Sequence, residues 1–298
     1  MSLLVLGTVQ LGMPYGVANV SGKPDQKVAT EIVRAAWDGG IREFDTAQEY
    51  GESERVLGVA FQELGIANEV KVVSKLRKDI NLDDAEAVIN AVRESVERLG
   101  IPKLYGLLVH KEEIVDGWSA HNPSQPPLIL RGGVPLVEHV GVSVYSPERA
   151  LQAIETDGVS TIQIPANILD RRFEQAGVFK HARERGVEVY VRSVFLQGLL
   201  LMDSKNLPAH MKFARPVVER VEQLAQEFNI TNQVLALQYV KTAFPDAHVI
   251  IGAETPQQVR DNVSVWNALP PAGIVERVRE AFQSIDEKVL DPRQWPRL

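Results

Sequence analysis

The 298-residue chain is predicted to fold as one (β/α)8 TIM barrel spanning residues 1–298. Three observations lead there. Short runs rich in Val, Ile and Leu recur eight times, as parallel strands buried on both faces require. Amphipathic helical patterns separate most of them. The repeat is about 30 residues long, the length of a strand plus a returning helix. The competing fold is a doubly wound open sheet with a glycine-rich phosphate loop after its first strand. GTVQLG follows the first run here, but Gly7 and Gly12 do not fit G-x-G-x-x-G and no clean helical pattern opens directly after it.

The strand candidates, in order, are LLVL (3–6), IREF (41–44), VKVVS (70–74), LYGLLVH (104–110), EHVGVS (138–143), TIQI (161–164), VEVYVRS (187–193) and HVIIG (248–252). The first helix is expected over 25–38, with Asp25 as its cap and Gly39-Gly40 as its stop. A second over 52–64 places Val56, Leu57, Ala60, Phe61 and Leu64 on one face. A third over 83–99 does the same with Ala85, Val88, Ile89, Val92, Val96 and Leu99, and stops at Gly100. Further helical patterns cover 147–156, 172–185, 214–228, 232–243, 256–267 and 273–287. Between the fourth and fifth strands, residues 117–135 carry four prolines and a Gly-Gly pair, so a Pro-rich loop is expected where the repeat calls for a helix. The tail from about residue 270 to 298 is expected to pack over or near the barrel mouth.

Composition removes several classes of function. The chain is 45% hydrophobic and 24% charged, ordinary for a soluble globular protein. A net charge of -7 argues against a basic nucleic-acid surface. The absence of cysteine excludes disulfides, thiolate metal sites and a cysteine nucleophile, and no metal site is expected. The apolar start MSLLVLG is too short for a signal-peptide core, and no run approaches the ~20 residues of a membrane helix. A cytoplasmic protein acting on a small molecule, with no membrane or nucleic-acid partner, is the expectation, either a monomer or a weak homo-oligomer.

In such a barrel, functional groups stand at the C-terminal ends of the strands. The second strand ends at Asp45, with Tyr50 in the loop after it; the third ends at Lys75 and the fourth at His110. Singly, each has a plain structural role: turn former, packing ring, rim charge, structural imidazole. Together they come from three successive strands and can converge on one cup. Lys75 beside Tyr50 is expected to pull the phenol below its ordinary pKa near 10. Asp45 then fixes the ammonium, and His110 orients a carbonyl oxygen or relays the proton. Tyr50 becomes the proton donor to an oxygen gaining negative charge. Hydride addition to a carbonyl creates such an oxygen, and a nicotinamide cofactor must supply the hydride.

The run GIREFDTAQEYGESERVLG resembles the signature of the aldo-keto reductases, (β/α)8 barrels that use NADPH or NADH. Their Asp, Tyr, Lys and His tetrad matches Asp45, Tyr50, Lys75 and His110, and the resemblance runs from GTVQLG at Gly7 to IIGAETPQQVRDN ending at Asn262. It implies that Ser143 in GVSVY and Gln163 in TIQIPANIL hold the nicotinamide carboxamide, although Val144 replaces the family's usual Asn. It implies that Gly7, Thr8 and Asp45 contribute to the cofactor wall. In the block RSVFLQG, Arg192 stands where the family has an aromatic against the nicotinamide, and a planar guanidinium can stack there while attracting an anionic or hydroxyl-rich substrate. Ser193, Phe195, Gln197 and Gly198 are the expected pyrophosphate contacts.

After the last strand, Gly252, Glu254, Thr255, Gln258 and Asn262 are placed at the adenosine end, where a helix N-terminus can hold phosphate. Glu254 would repel a 2′-phosphate and accept from a free ribose hydroxyl. NADH is therefore expected to be usable, and in the stronger form of the same expectation preferred over NADPH. Met13, Tyr15, Trp118 and Trp295 are substrate-wall candidates, with ordinary packing as the competing role for each. The leading reading is an NAD(P)-dependent reductase of aldehyde, ketone or sugar carbonyls. The alternatives are an aldose or alcohol dehydrogenase working oxidatively, a cofactor-sensing regulatory module with little turnover, and an unrelated phosphate-binding barrel enzyme that leaves the tetrad unexplained.

Overall fold

A computed structural model of the chain describes residues 3–110, 112–117 and 134–296. Eight parallel strands close into a barrel in chain order: β1 (Leu3–Gly7), β2 (Glu43–Asp45), β3 (Lys71–Leu76), β4 (Leu104–Val109), β5 (Val137–Ser143), β6 (Thr161–Pro165), β7 (Glu188–Arg192) and β8 (His248–Gly252). β8 returns to β1 in register, Leu3 to His248 and Gly7 to Gly252, so no sheet edge is left open. Every strand lies where its apolar run predicts.

Half of the described α-helices begin at a polar side chain that accepts from their first N–H groups. After a four-residue turn of helix α1 (Val9–Gly12), which the sequence does not signal, α2 (Gln26–Asp38) starts with Asp25 accepting from Val28 N. α3 (Ser53–Leu64) and α4 (Ala85–Leu99) follow, α4 capped by Asp84. Then come α5 (Pro147–Ile154), α6 (Arg172–Gln175) and α7 (Val178–Arg185). Last are α8 (Arg215–Glu227), α9 (Asn232–Ala243), α10 (Pro256–Asn267), α11 (Ile274–Ala281) and α12 (Glu287–Leu290).

Two expected helices differ, one split and one shortened. The pattern over 172–185 breaks at Gly177, whose φ of 75° leaves the helical region. The pattern over 273–287 ends at Ala281, and a separate turn forms at Glu287–Leu290. In both cases apolar residues continue past the end of the helix (Val178 and Ala182 in the first, Phe282 and Ile285 in the second), so periodicity alone does not show the break. The expected Pro-rich loop at 117–135 lies almost wholly outside the described residues, which include only a 3-10 turn at Glu112–Gly117 and the run from Val134. Among the described residues, no helix is long and apolar enough to cross a membrane.

Side chains two apart along a strand share a face, so each strand sends alternate residues into the barrel. Phe44 of β2 points outward and packs edge-on against Phe61 of α3, with ring centroids 5.0 Å apart. Its neighbours Glu43 and Asp45 are both buried. Val5, Val73, Leu108, Tyr190 and Ile250 form a compact apolar cluster separate from the larger core between barrel and helices. Near Tyr190 lies a polar network. Glu43 Oε2 accepts from Tyr190 Oη at 3.1 Å and lies 2.6 Å from His248 Nδ1, while Lys71 Nζ sits 3.7 Å from Oε1.

Burial pushes the Glu43 carboxyl up, but the hydrogen bond and charge of His248, with Lys71 and Tyr190, outweigh it and hold the group below its ordinary value. A depressed carboxyl stabilises the fold at pH above its unfolded value and loses that contribution as pH falls. Glu43→Gln, which keeps shape and removes charge, is expected to cost roughly 2–4 kcal/mol in urea unfolding at pH 7. The gap between wild type and variant should narrow below the unfolded carboxyl value of 4.5. A gap that does not change with pH contradicts this assignment.

Candidate active site

Beyond the apolar cluster, the upper ends of the strands open onto a cavity of about 350 Å3. Gly7, Asp45, Lys75, Ser143, Gln163, Arg192 and Gly252 come from seven strands, and His110 directly follows β4. The period-two alternation that buries Val5, Val73, Leu108, Tyr190 and Ile250 thus sets the position of the cavity wall.

Asp45 joins this wall together. Its Oδ1 accepts from Lys75 Nζ at 2.7 Å and from Gln163 Nε2 at 2.7 Å. Lys75 also donates to Thr46 O at 2.8 Å, and the residue is only 1% exposed. Burial lowers the Lys75 pKa, the charge and hydrogen bond of Asp45 oppose that, and Arg192 adds to the lowering. Lys75 lies one residue before the strand end, since β3 runs on to Leu76.

Tyr50 and His110 stand over this pair. Lys75 Nζ lies 4.9 Å from the centroid of the Tyr50 ring, and the His110 ring meets Tyr50 edge-on at 6.4 Å. The expectation that Lys75 lowers the Tyr50 pKa is not met. Burial, and then the negative charge of Asp45, raise it well above the ordinary tyrosine value, and the cation acting against them is Arg192. The physical reason is geometric. The ammonium lies over the ring, and its charge is taken up by Asp45 and the Thr46 carbonyl.

Glycine spacing sets the height of the Tyr50 loop. A Cβ on Gly12 would come 1.8 Å from the Tyr50 carbonyl oxygen. Gly51 has a φ of 56°, and a Cβ there would meet Gly12 O at 2.6 Å. His110 is held neutral: burial and the Lys75 charge lower its pKa to about 4. Glu49 Oε2 lies 3.2 Å from His110 Nδ1, but the approach is misaligned and makes no hydrogen bond.

The remaining site candidates divide clearly. Thr8, Ser193, Phe195, Gln197, Gly198, Glu254, Gln258 and Asn262 line the same cavity. Thr255 does not; its hydroxyl caps α10 by accepting from Gln258 N at 3.2 Å. Tyr15 lines the cavity, and although 37% of the residue is exposed, its hydroxyl is enclosed enough that burial, with Tyr50 next, pushes its pKa up to about 12. Met13 is exposed outside the cavity lining. Trp295 is buried, donates to Val289 O at 3.2 Å, and packs away from the cavity. Trp118 lies outside the described residues.

Three polar lining residues escaped the sequence reading. Gln233 comes from α9, bonded to Asn262 Oδ1 at 2.8 Å, and a helix residue carries no strand-end signal. Gln10 sits in α1, with its Oε1 buried and without a hydrogen-bond partner. Tyr145 follows β5 by two residues and was open to strand-end reasoning.

The loop after β7 has an unusual backbone. Ser193, Leu196, Gln197 and Gly198 all have positive φ, at 62°, 48°, 55° and 89°. Such conformations are strained for three of these four residue types and persist where surroundings enforce them. Asn167 Nδ2 donates to Ser193 O at 3.0 Å, and Val17 N donates to Gln197 O at 3.0 Å. Arg192 itself lies against the Tyr145 ring, Cζ 4.0 Å from the centroid, and Arg293 from the chain's end lies 3.7 Å from the same centroid. Glu112 accepts from Tyr145 N at 2.7 Å and from Arg293 Nη1 at 3.0 Å, which ties the loop after β4, the end of β5 and the tail together.

The enclosure of His110 is open to direct test. Its ring signals in a two-dimensional NMR titration should stay those of neutral imidazole down to about pH 4. Because the unfolded chain binds this proton at a higher pH, His110 should reduce folding stability as pH falls from the ordinary value of 6.5 towards 4. A midpoint near 6.5 in the folded protein contradicts the packing described.

The sequence profile described as the Aldo/keto reductase family matches residues 3–282. The chain is 22% identical to a D-threo-aldose 1-dehydrogenase of Pseudomonas sp, over 90% of this chain and 92% of that protein. It is 26% identical to an NADH-specific methylglyoxal reductase of Escherichia coli (strain K12), over 90% of each. Among solved structures, an aldo-keto reductase of Bacillus halodurans in its holo form superposes with a TM-score of 0.71 at 20% identity, over 97% of this chain and 95% of that one. A glycerol dehydrogenase of Gluconobacter oxydans gives a TM-score of 0.68 at 21% identity, over 93% and 90%. With the profile covering nearly the whole barrel, the chain belongs to the aldo/keto reductase family of oxidoreductases.

Proposed function

We propose that this protein reduces an aldehyde, ketone or sugar carbonyl at the expense of NADH or NADPH, with Tyr50 as the proton donor. The observation that carries the reading is the meeting, in one cavity, of a buried Asp45–Lys75 pair with Tyr50 and His110. A proton donor must hold its proton until the oxygen gains charge, and the raised pKa of Tyr50 suits that role. Neutral His110 can donate one N–H to the carbonyl oxygen without bringing a second proton to the site. Lys75 and Asp45 keep the floor beneath Tyr50 polar and fixed. The protonated phenol favours the reductive direction, and the same groups serve alcohol oxidation once the phenol is deprotonated.

The residues present fit a dinucleotide. The left-handed run at Leu196–Gly198 offers a turn for a pyrophosphate, and the buried, unpaired Gln10 Oε1 lies where a Cβ on Gly252 would collide with its side chain. A bound nicotinamide cofactor would supply the hydride. Ser143 and Gln163 would hold the carboxamide, Gln163 through its Oε1, since its Nε2 serves Asp45. Ser193, Phe195, Gln197 and Gly198 would hold the pyrophosphate, and Gly252, Glu254, Gln258 and Asn262 the adenosine.

Glu254 supports the use of NADH. Ser21 Oγ donates to its Oε2 at 3.3 Å, and partial burial raises its pKa. Arg260, the first base of α10, is turned along the helix to Gln257 Oε1 at 3.0 Å. A 2′-phosphate would thus meet a carboxylate and no free base at the start of α10. The relative from Escherichia coli named as NADH-specific is consistent with that choice.

With NADH and a panel of aldehydes, ketones and aldoses, Tyr50→Phe is expected to lower kcat by about 10²–10⁴-fold while cofactor binding, read by fluorescence quenching, is retained. Reduction by the wild type should persist through pH 9, because the acid form is the active one and its pKa lies above the ordinary 10.0. Activity surviving Tyr50→Phe, or an alkaline midpoint below that value, removes Tyr50 from the role. The quenching titration should also give tighter binding of NADH than of NADPH, and Glu254→Ser should narrow the difference by about tenfold, equivalent to about 1.4 kcal/mol. A clear NADPH preference in the wild type overturns the cofactor assignment.

A further inference from the structure

Charges inside the cavity are mostly matched. Asp45 and Lys75 neutralise each other, His110 is neutral, and Glu254 is held by Ser21 where α10 begins. Arg192 is the exception. Among the described residues no carboxylate lies within ion-pair distance of it, and its hydrogen bonds are long ones to Ser193 Oγ and Val144 O, both 3.4 Å. Yet the side chain is held in place. Its guanidinium packs on Tyr145, and Tyr145 is fixed by Glu112 through its backbone N–H and by Arg293 against its ring. A guanidinium is weakly hydrated and stacks well on an aromatic face, so a phenol ring can orient it without cancelling its charge. An acid in the place of Tyr145 would have oriented it and neutralised it. The neighbouring Asp45–Lys75 pair shows that alternative in the same wall.

We propose that Arg192 is the specificity-determining residue of this site and that the carbonyl substrate carries an anionic group, a carboxylate or a phosphate, which Arg192 binds. The inference rests on the reductase reading for the carbonyl and adds the class of substrate. Arg192 lines the same cavity as Tyr15, Tyr50, Lys75 and His110, which places it beside the proposed proton donor. Its planar fork can meet two oxygens of one anion, a geometry that lysine cannot reproduce.

The test compares 4-carboxybenzaldehyde with its methyl ester, two aldehydes that differ in charge and little in shape. Wild-type kcat/KM should favour the carboxylate by about tenfold or more, the range of one charge-assisted contact. In Arg192→Met the ratio should fall to near one, whatever happens to the absolute rates, and Arg192→Lys should retain part of it. In parallel, calorimetry with the wild type and Arg192→Met should show that benzoate binds in preference to benzamide only when Arg192 is present. A wild type indifferent to charge in both assays overturns the inference, as does an equal loss on both aldehydes that leaves the ratio intact. Preferential, Arg192-dependent binding of benzoate supports the anion site even where neither aldehyde is reduced, and the reductase reading falls only if the full panel of aldehydes, ketones and aldoses is also left unreduced.

Discussion

One carboxylate oxygen holds the working end of this barrel together. Asp45 Oδ1 receives Lys75 Nζ and Gln163 Nε2, each at 2.7 Å, and so links β2, β3 and β6 across the barrel. A lysine that is 1% exposed is tolerable only with such a partner, because an unpaired buried ammonium carries a desolvation penalty of several kcal/mol. Removing Asp45 would therefore do more than delete a charge. It would strand Lys75, release Gln163 from its orientation and take away one of the effects that keep Tyr50 protonated. The position of Tyr50 depends in turn on the Gly12–Gly51 contact above this pair.

The same arrangement occurs twice along two strands. Glu43 and Asp45 are two apart on β2, while Lys71 and Lys75 are four apart on β3, so all four side chains share the inner face. The Glu43 carboxylate is buried among His248 and Tyr190, while Lys71 reaches it from the exposed bottom of the barrel. The Asp45 pair opens onto the cavity. Paired ions of similar chemistry thus have different consequences according to depth. Where the layer is filled by Tyr190 and its neighbours the pair serves the fold; where Gly7 and Gly252 leave space it faces a ligand.

The barrel and the convergence of Asp45, Lys75 and His110 were legible in the sequence because both depend on short-range periodicity. Alternation fixes which strand residues face inward, and the strand ends then place Asp45, Lys75 and His110 in one cup. What could not be read has a common cause in long-range packing. The Arg192–Tyr145–Arg293 stack joins residues from β7, the end of β5 and the chain's tail, and no local pattern signals such a meeting. Gln233 reaches the cavity from a helix. The effect of Lys75 on Tyr50 was misjudged because spacing tells that two groups are near, and says nothing of whether an ammonium faces a ring or a hydroxyl. Thr255 illustrates the same limit: a hydroxyl at a helix start serves the helix first.

Arg192 gives the site its asymmetry. Up β7, the inward residues run from Glu188, which accepts from Tyr105 Oη at 2.6 Å, through Tyr190 to Arg192. On β2 and β3 each inward charge meets its opposite, but on β7 the charge that reaches the cavity meets an aromatic ring. In a cavity partly shielded from water, a fixed and unneutralised cation lowers the energy of any negative charge that develops nearby. It acts this way on the Tyr50 phenol, where it opposes burial and Asp45. A substrate whose own anion occupied the guanidinium would screen that influence and leave Tyr50 more firmly protonated. Recognition of such a substrate and the protonation of Tyr50 would then depend on the same side chain.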